Sequence, residues 1–226
     1  ARDHWLCYFK SKSVLHIDDD AALDLLVIAT NMARSQGDKR CEACCLLAMS
    51  SALVYSGGMG KVKEIGQHLV AQPSLLKDPQ ARGIALTIAL GQALFEDDLP
   101  RGIKLSRQAL CLELSPETRM LVLYGSAVIY QRLGKLVYAR QLVEEALSMS
   151  FVQNNERWAV TGYVVLSQIL NLAGENRLLE ETCRKIIYLS QKYGMLSQLG
   201  RAHRQLGRMY LPIGRFIEAR QEMELA

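Results

Sequence analysis

Aromatic residues are scarce, at 7% of the chain, and proline occurs only five times. Polar residues interrupt every apolar run well before the ~20 residues needed to cross a bilayer, and no leader-type segment is legible, so no membrane association and a cytoplasmic location are expected. A formal charge of +4 without clustered Lys and Arg lacks the footprint of a phosphate-tracking surface, so no direct nucleic-acid binding is expected. Sustained alternation of β-branched residues is also missing, which argues against a sheet.

Several chemistries lack their residues. The stretch "YSGGMGKVKEIG" (55–66) imitates a phosphate-binding loop, but Tyr55 stands where the first glycine belongs and Val62 where the hydroxyl belongs. The preceding "CEACCLLAMSSALVYS" reads as a helix rather than the required strand. His4, His16, His68 and His203 are scattered over different helices, with no carboxylate at a spacing that implies a shared face. No catalytic group, metal site or cofactor is therefore expected, and the chain is not expected to be an enzyme. Of the six cysteines, Cys41 and Cys44 form a C-x-x-C followed at once by Cys45, so a metal or redox site competes with buried apolar thiols. No second ligand pair follows, which favours reduced, buried thiols.

What is present is Ala, Leu and repetition. Gly134, Gly174 and Gly214 are forty residues apart, and stepping back along the chain reaches Asp97, Gly57 and Ile17. Five residues after these turn slots stand Ala22, Val62, Gly102, Ala139, Leu179 and Ala219; twelve after them stand Ala29, Leu69, Ala109, Ala146, Ile186 and Ala226. Those two offsets lie two turns apart on one helical face, and small residues there admit a neighbouring helix. Ser50, Ala127, Ser167 and Gly207 are small seven before the slot, and Tyr130 and Tyr210, four before it, read as core. Asp78-Pro79 and Ser115-Pro116 pair a capping side chain with a first-turn proline, while Asp18-Asp19-Asp20 and Asp97-Asp98 supply acids to helix starts. The expected fold is all-α: a right-handed α-solenoid of about six helix-turn-helix units, one domain over residues 1–226.

The stretch "HRQLGRMYLPIGRFIEARQEMELA" resembles a tetratricopeptide repeat, with Leu206-Gly207, Tyr210, Gly214, Ala219 and Ala226 at the motif's positions; Tyr130, Gly134, Ala139 and Ala146 match similarly. The period of about forty exceeds the family's usual thirty-four and implies longer helices. Long Ala- and Leu-rich units of this kind are similar to the sensor region of large bacterial LuxR-type transcription regulators of the maltose-activator type. That resemblance implies a flanking NTPase module and a DNA-binding helix-turn-helix in a longer chain, and the apolar helix at the start and the uncapped end at Ala226 fit an excised portion.

Binding residues are expected on the first helix of each pair, which lines the groove of such a stack. Arg201, Arg204 and Arg208 recur at three and four, placing their guanidinium groups on one stripe suited to carboxylate or phosphate. Tyr124, Gln131 and Arg132, with Gln168 and Asn171, would extend a polar groove toward them. A solvated face, or pairing with acids of a further repeat, is the alternative. Glu144-Glu145 and Glu180-Glu181 read as a solvated convex face. The expected role is a non-catalytic sensor binding a small anionic effector or a regulatory protein, with a general adaptor for an acidic peptide or partner helix as the alternative.

Overall fold

The computed structural model describes residues 3–15, 18–55, 58–70, 77–153 and 156–226. Twelve α-helices and one short 3-10 turn make up the described residues, with no strand among them. In chain order they are α1 (Asp3–Val14), α2 (Asp19–Gln36), α3 (Lys39–Tyr55), α4 (Met59–Val70), α5 (Pro79–Phe95) and α6 (Leu99–Leu110). They continue as α7 (Pro116–Arg132), α8 (Leu136–Val152), α9 (Glu156–Ala173), α10 (Asn176–Tyr193), α11 (Leu196–Tyr210) and α12 (Phe216–Glu224). The chain divides into two compact units, residues 1–125 and 126–226, the boundary falling within α7.

Side chains fix the starts of α2, α5, α6 and α7, whereas α8, α10, α11 and α12 start without a side-chain cap. Asp78 Oδ1 accepts from Ala81 N at 2.8 Å with Pro79 in the first turn, and Asp18 and Asp98 accept from Ala21 N and Arg101 N at 3.0 and 3.1 Å. Ser115 Oγ accepts from Thr118 N at 3.3 Å. Each contact satisfies an N–H that the helix leaves unpaired.

The ends are fixed by the backbone. Gly134, Gly174 and Gly214 have φ of +72°, +72° and +78°, and Asp97 has φ of +57°. At each, the next residue's N–H donates back to the carbonyl five residues earlier: Lys135 to Tyr130, Glu175 to Leu170, Arg215 to Tyr210 and Asp98 to Ala93. This left-handed closure satisfies carbonyls that a helix end would otherwise strand. The expected turn slots at these four positions are bends between helices; those at Gly57 and Ile17 lie outside the described residues. Two further bends, at Gly37 and Gly194, use the same closure, with Asp38 donating to Ala33 and Met195 to Ser190. They join one helix pair to the next.

Within residues 1–125, α1, α2 and α3 pack together around Leu26, Ala29, Ala33, Cys41 and Cys45. A second cluster, with Leu46, Val62, Leu69, Ile84 and Ile88, joins α3, α4 and α5. Asp38, ahead of α3, caps Cys41 N at 2.9 Å through Oδ1 and receives His4 Nε2 and Trp5 Nε1 of α1 at 3.0 and 2.9 Å through Oδ2. Within residues 126–226, α9 contacts both α10 and α11, and a cluster of Leu170, Leu179, Cys183, Leu206, Met209 and Tyr210 fills the space between them. The small-residue positions identified in the sequence are buried throughout, from Ala22 and Ala29 to Leu179, Ile186 and Ala219, except Ala226, which is exposed. Close helix approach is what they permit: a Cβ at Gly207 would stand 2.8 Å from Met223 of α12. Of the two tyrosines expected in the core, Tyr210 is fully buried, whereas Tyr130 is half-buried and meets Tyr138 edge-on with ring centroids 4.6 Å apart.

A candidate anion-binding hollow

Helix α11 has two faces. Ala202, His203, Leu206, Met209 and Tyr210 are buried, whereas Arg201, Arg204 and Arg208, at steps of three and four, stay in solvent. That stripe borders an open hollow of about 180 Å³, closed on the other side by Val164, Ser167 and Gln168 of α9, with Ile186 of α10 and Ala202 in its lining and Gln205 at the rim. The small side chains of Ser167 and Ala202 leave this space between two first helices of successive pairs. Ser167 Oγ is committed to Val164 O at 2.8 Å, so the polar groups open to a guest are the guanidinium and amide groups.

The charge balance distinguishes this place from the rest of residues 126–226. Arg140 pairs with Glu144 and Glu175, Arg177 with Glu181, Arg184 and Arg215 with Glu180, and Arg220 with Glu224. Arg201 and Arg208 form no hydrogen bond or ion pair among the described residues, and Arg204 reaches only the main-chain oxygen of Ala226, at 3.4 Å. Three cations therefore border one hollow whose lining contains no carboxylate. Such an arrangement attracts an anion and supplies N–H donors but no charged acceptor.

Of the residues marked in the sequence, the structure gathers Gln168, Arg201, Arg204 and Arg208 around this hollow. Asn171 lies beyond it at the exposed end of α9, and half-buried Gln131 and exposed Arg132 occupy the last turn of α7. Tyr124 departs from expectation: it is 5% exposed and belongs to the interior of α7, so it cannot line an open groove. Gln205, which the sequence reading passed over, lies four residues after Arg201 and so shares its stripe. That spacing was the available signal.

Other candidate groups have structural partners. His203 Nδ1 lies 2.6 Å from Glu222 Oε2 beneath α12, His68 approaches Arg34 and the buried Glu42, and His4 meets Asp38; His16 lies outside the described residues. Glu180 is not a free surface acid. It accepts from Arg184 at 2.7 Å and Tyr210 at 2.8 Å while Arg215 lies over the Tyr210 ring, and the bonds from Arg184 and Tyr210 hold its carboxyl below the usual range. Cys41 Sγ faces Cys45 Sγ at 3.9 Å, one helical turn away, rather than Cys44. Burial pushes the Cys44 thiol up to about 12, and no group of three metal-ligating side chains occurs among the described residues. The pseudo phosphate loop is preceded by helix α3, and Lys61 sits inside α4. Residues 1–125 carry a second hollow, lined by Leu47, Thr87, Ile88, Leu90, Leu94 and neighbours, with no charged residue. No helix among the described residues is long and apolar enough to cross a membrane.

No protein-family model and no curated protein sequence matches the chain. Among solved structures, BtubC (BKLC) from P. vanneervenii is similar, with a TM-score of 0.62 at 12% identity, covering 89% of this chain and 87% of that one. At that identity the likeness speaks to the fold alone: this chain shares an all-helical architecture with BtubC.

Proposed function

We propose that the chain is a non-catalytic recognition module that takes an anionic effector in the hollow between α9 and α11. In this reading the helices form a right-handed α-solenoid of about six tetratricopeptide-like pairs, serving in the cytoplasm as the sensor region of a LuxR-type transcription regulator. NTPase and DNA-binding domains would flank it in the longer chain. The observation that carries the proposal is the set of three arginines on one stripe without carboxylate partners, while Arg140, Arg177, Arg184, Arg215 and Arg220 each have one. An effector that bridges α9 and α11 stabilises one angle between two helix pairs over another, and that bias is what passes to neighbouring domains.

A thermal-shift screen of charged metabolites tests this reading. A ligand at a hundred times its Kd adds about 2.7 kcal/mol to the folded state, which for a chain of this size raises Tm by roughly 5–10 °C. Absence of a shift from any anionic small molecule or acidic peptide refutes it. A second reading is an adaptor for acidic peptides, whose carboxylates the same three guanidinium groups suit. Salt-sensitive binding of a Glu-rich peptide with no response to small anions selects the adaptor.

A further inference from the structure

We propose that the ligand of this hollow is a phosphate monoester on a hydroxylated, non-aromatic carrier, of the size and character of a sugar phosphate. The inference rests on the reading of the hollow as the effector site. Three arguments lead to the phosphate group. A guanidinium has five N–H donors and no acceptor, so Arg201, Arg204 and Arg208 call for a group with acceptor oxygens in several directions. A phosphate monoester presents three such oxygens and carries about −1.5 to −2 at neutral pH, whereas one carboxylate brings two oxygens and a single charge against three cations. The lining contains no Asp or Glu to repel a dianion.

The rest of the lining describes the carrier. Gln168 and Gln205 make no hydrogen bond among the described residues, and each amide offers both donors and an acceptor, which matches hydroxyl groups rather than further charge. Val164, Ile186 and Ala202 supply a small apolar floor able to cover the carbon face of a ring. No aromatic side chain belongs to the lining, so a nucleobase would find nothing to stack on.

The test is titration calorimetry of the full chain at low ionic strength with glucose 6-phosphate, inorganic phosphate, glucose, succinate and a short Glu-rich peptide. Glucose 6-phosphate is expected to bind most tightly, inorganic phosphate more weakly, and glucose without measurable heat. Arg201→Gln and Arg208→Gln, at exposed positions that carry no ion pair, should each weaken glucose 6-phosphate by about tenfold or more, the loss typical of one charge-assisted hydrogen bond. Arg177→Gln, 93% exposed at its side chain on α10, should leave the affinity unchanged and serves as the control for net charge. Succinate or peptide binding that depends on Arg201 and Arg208 while glucose 6-phosphate is silent overturns the phosphate assignment and leaves the effector site standing. Equal binding of glucose and glucose 6-phosphate also overturns it. Silence of every anion, or affinity that survives both arginine substitutions, overturns the assignment and the effector site together.

Discussion

Replacing Gly66 by Ala should destabilise the protein, although Gly to Ala inside a helix ordinarily stabilises. Gly66 lies within α4 against Gln92 of α5, whose Nε2 donates to the main-chain oxygens of Val62 at 3.0 Å and Lys63 at 3.3 Å. A Cβ at Gly66 would stand 2.2 Å from that Nε2 and 2.9 Å from Cδ, so the amide must move and both bonds break. Gln92 is 8% exposed, and leaving its amide unsatisfied costs about 2 kcal/mol, within the usual 1–3. The helix-propensity gain returns about 1 kcal/mol. The net is a loss of about 1 kcal/mol, or roughly 2–4 °C in Tm for a chain of this length. Gly91→Ala on α5 is the matched control: nothing lies within 4 Å of its Cβ position, so only the propensity term acts and Tm should rise by a similar amount. Thermal and urea unfolding followed by far-UV circular dichroism measure both. In a Gln92→Ala background, Gly66→Ala should become favourable. A rise in Tm for Gly66→Ala in the parent chain would refute the reasoning.

Three other outcomes are expected. Gly174 has φ of +72°, so Gly174→Ala should lose up to ~1 kcal/mol, read by the urea midpoint. At Glu42, burial raises the carboxyl pKa but hydrogen bonds from Arg34 and Lys39 outweigh it, leaving the folded value below the unfolded one. Its stabilisation is therefore complete above the unfolded value of about 4.3 and is lost as pH falls through the lower folded value. Glu42→Gln should cost about 1–2 kcal/mol at pH 7, the smaller end because Arg34 and Lys39 are partly in water, and that gap should close on acidification below about pH 4. With a thiol reagent at pH 8, exposed Cys111 should react first and Cys111→Ser should remove that phase, while Cys44 and Cys183, which burial raises to about 12, react only on unfolding.

The sequence made the bends legible because left-handed backbone restricts residue choice: Gly134, Gly174 and Gly214 stand out at equal spacing, and Asp97 fills the same slot because Asp tolerates that conformation. Gly37 and Gly194, each twenty residues after a turn slot, escaped notice because the other units carry Lys77, Glu117 and Asn154 at that offset. The arginine stripe was legible from steps of three and four, yet the same arithmetic could not tell that Tyr124 faces inward, because α7 is apolar on nearly every side and has no hydrophilic face to orient it. Nor could it reveal that Arg215 reaches Glu180 across 35 residues of sequence, whereas the Arg184–Glu180 pair, four apart on α10, is local and readable. Asp38 shows the same limit: its cap on Cys41 is local and readable, its bonds to His4 and Trp5 are not.

Closure of the six bends by main-chain amides has an evolutionary corollary. At the bends of Gly134, Gly174, Gly194 and Gly214 no side chain caps the helix that follows, so the closure itself demands only the single residue that accepts left-handed geometry. Asp38 and Asp98, by contrast, also cap the helices after their bends. Constraint retreats to a thin set of small buried positions, which many different residue combinations can satisfy. Many different sequences can build such an architecture, which is consistent with a fold like that of BtubC at 12% identity.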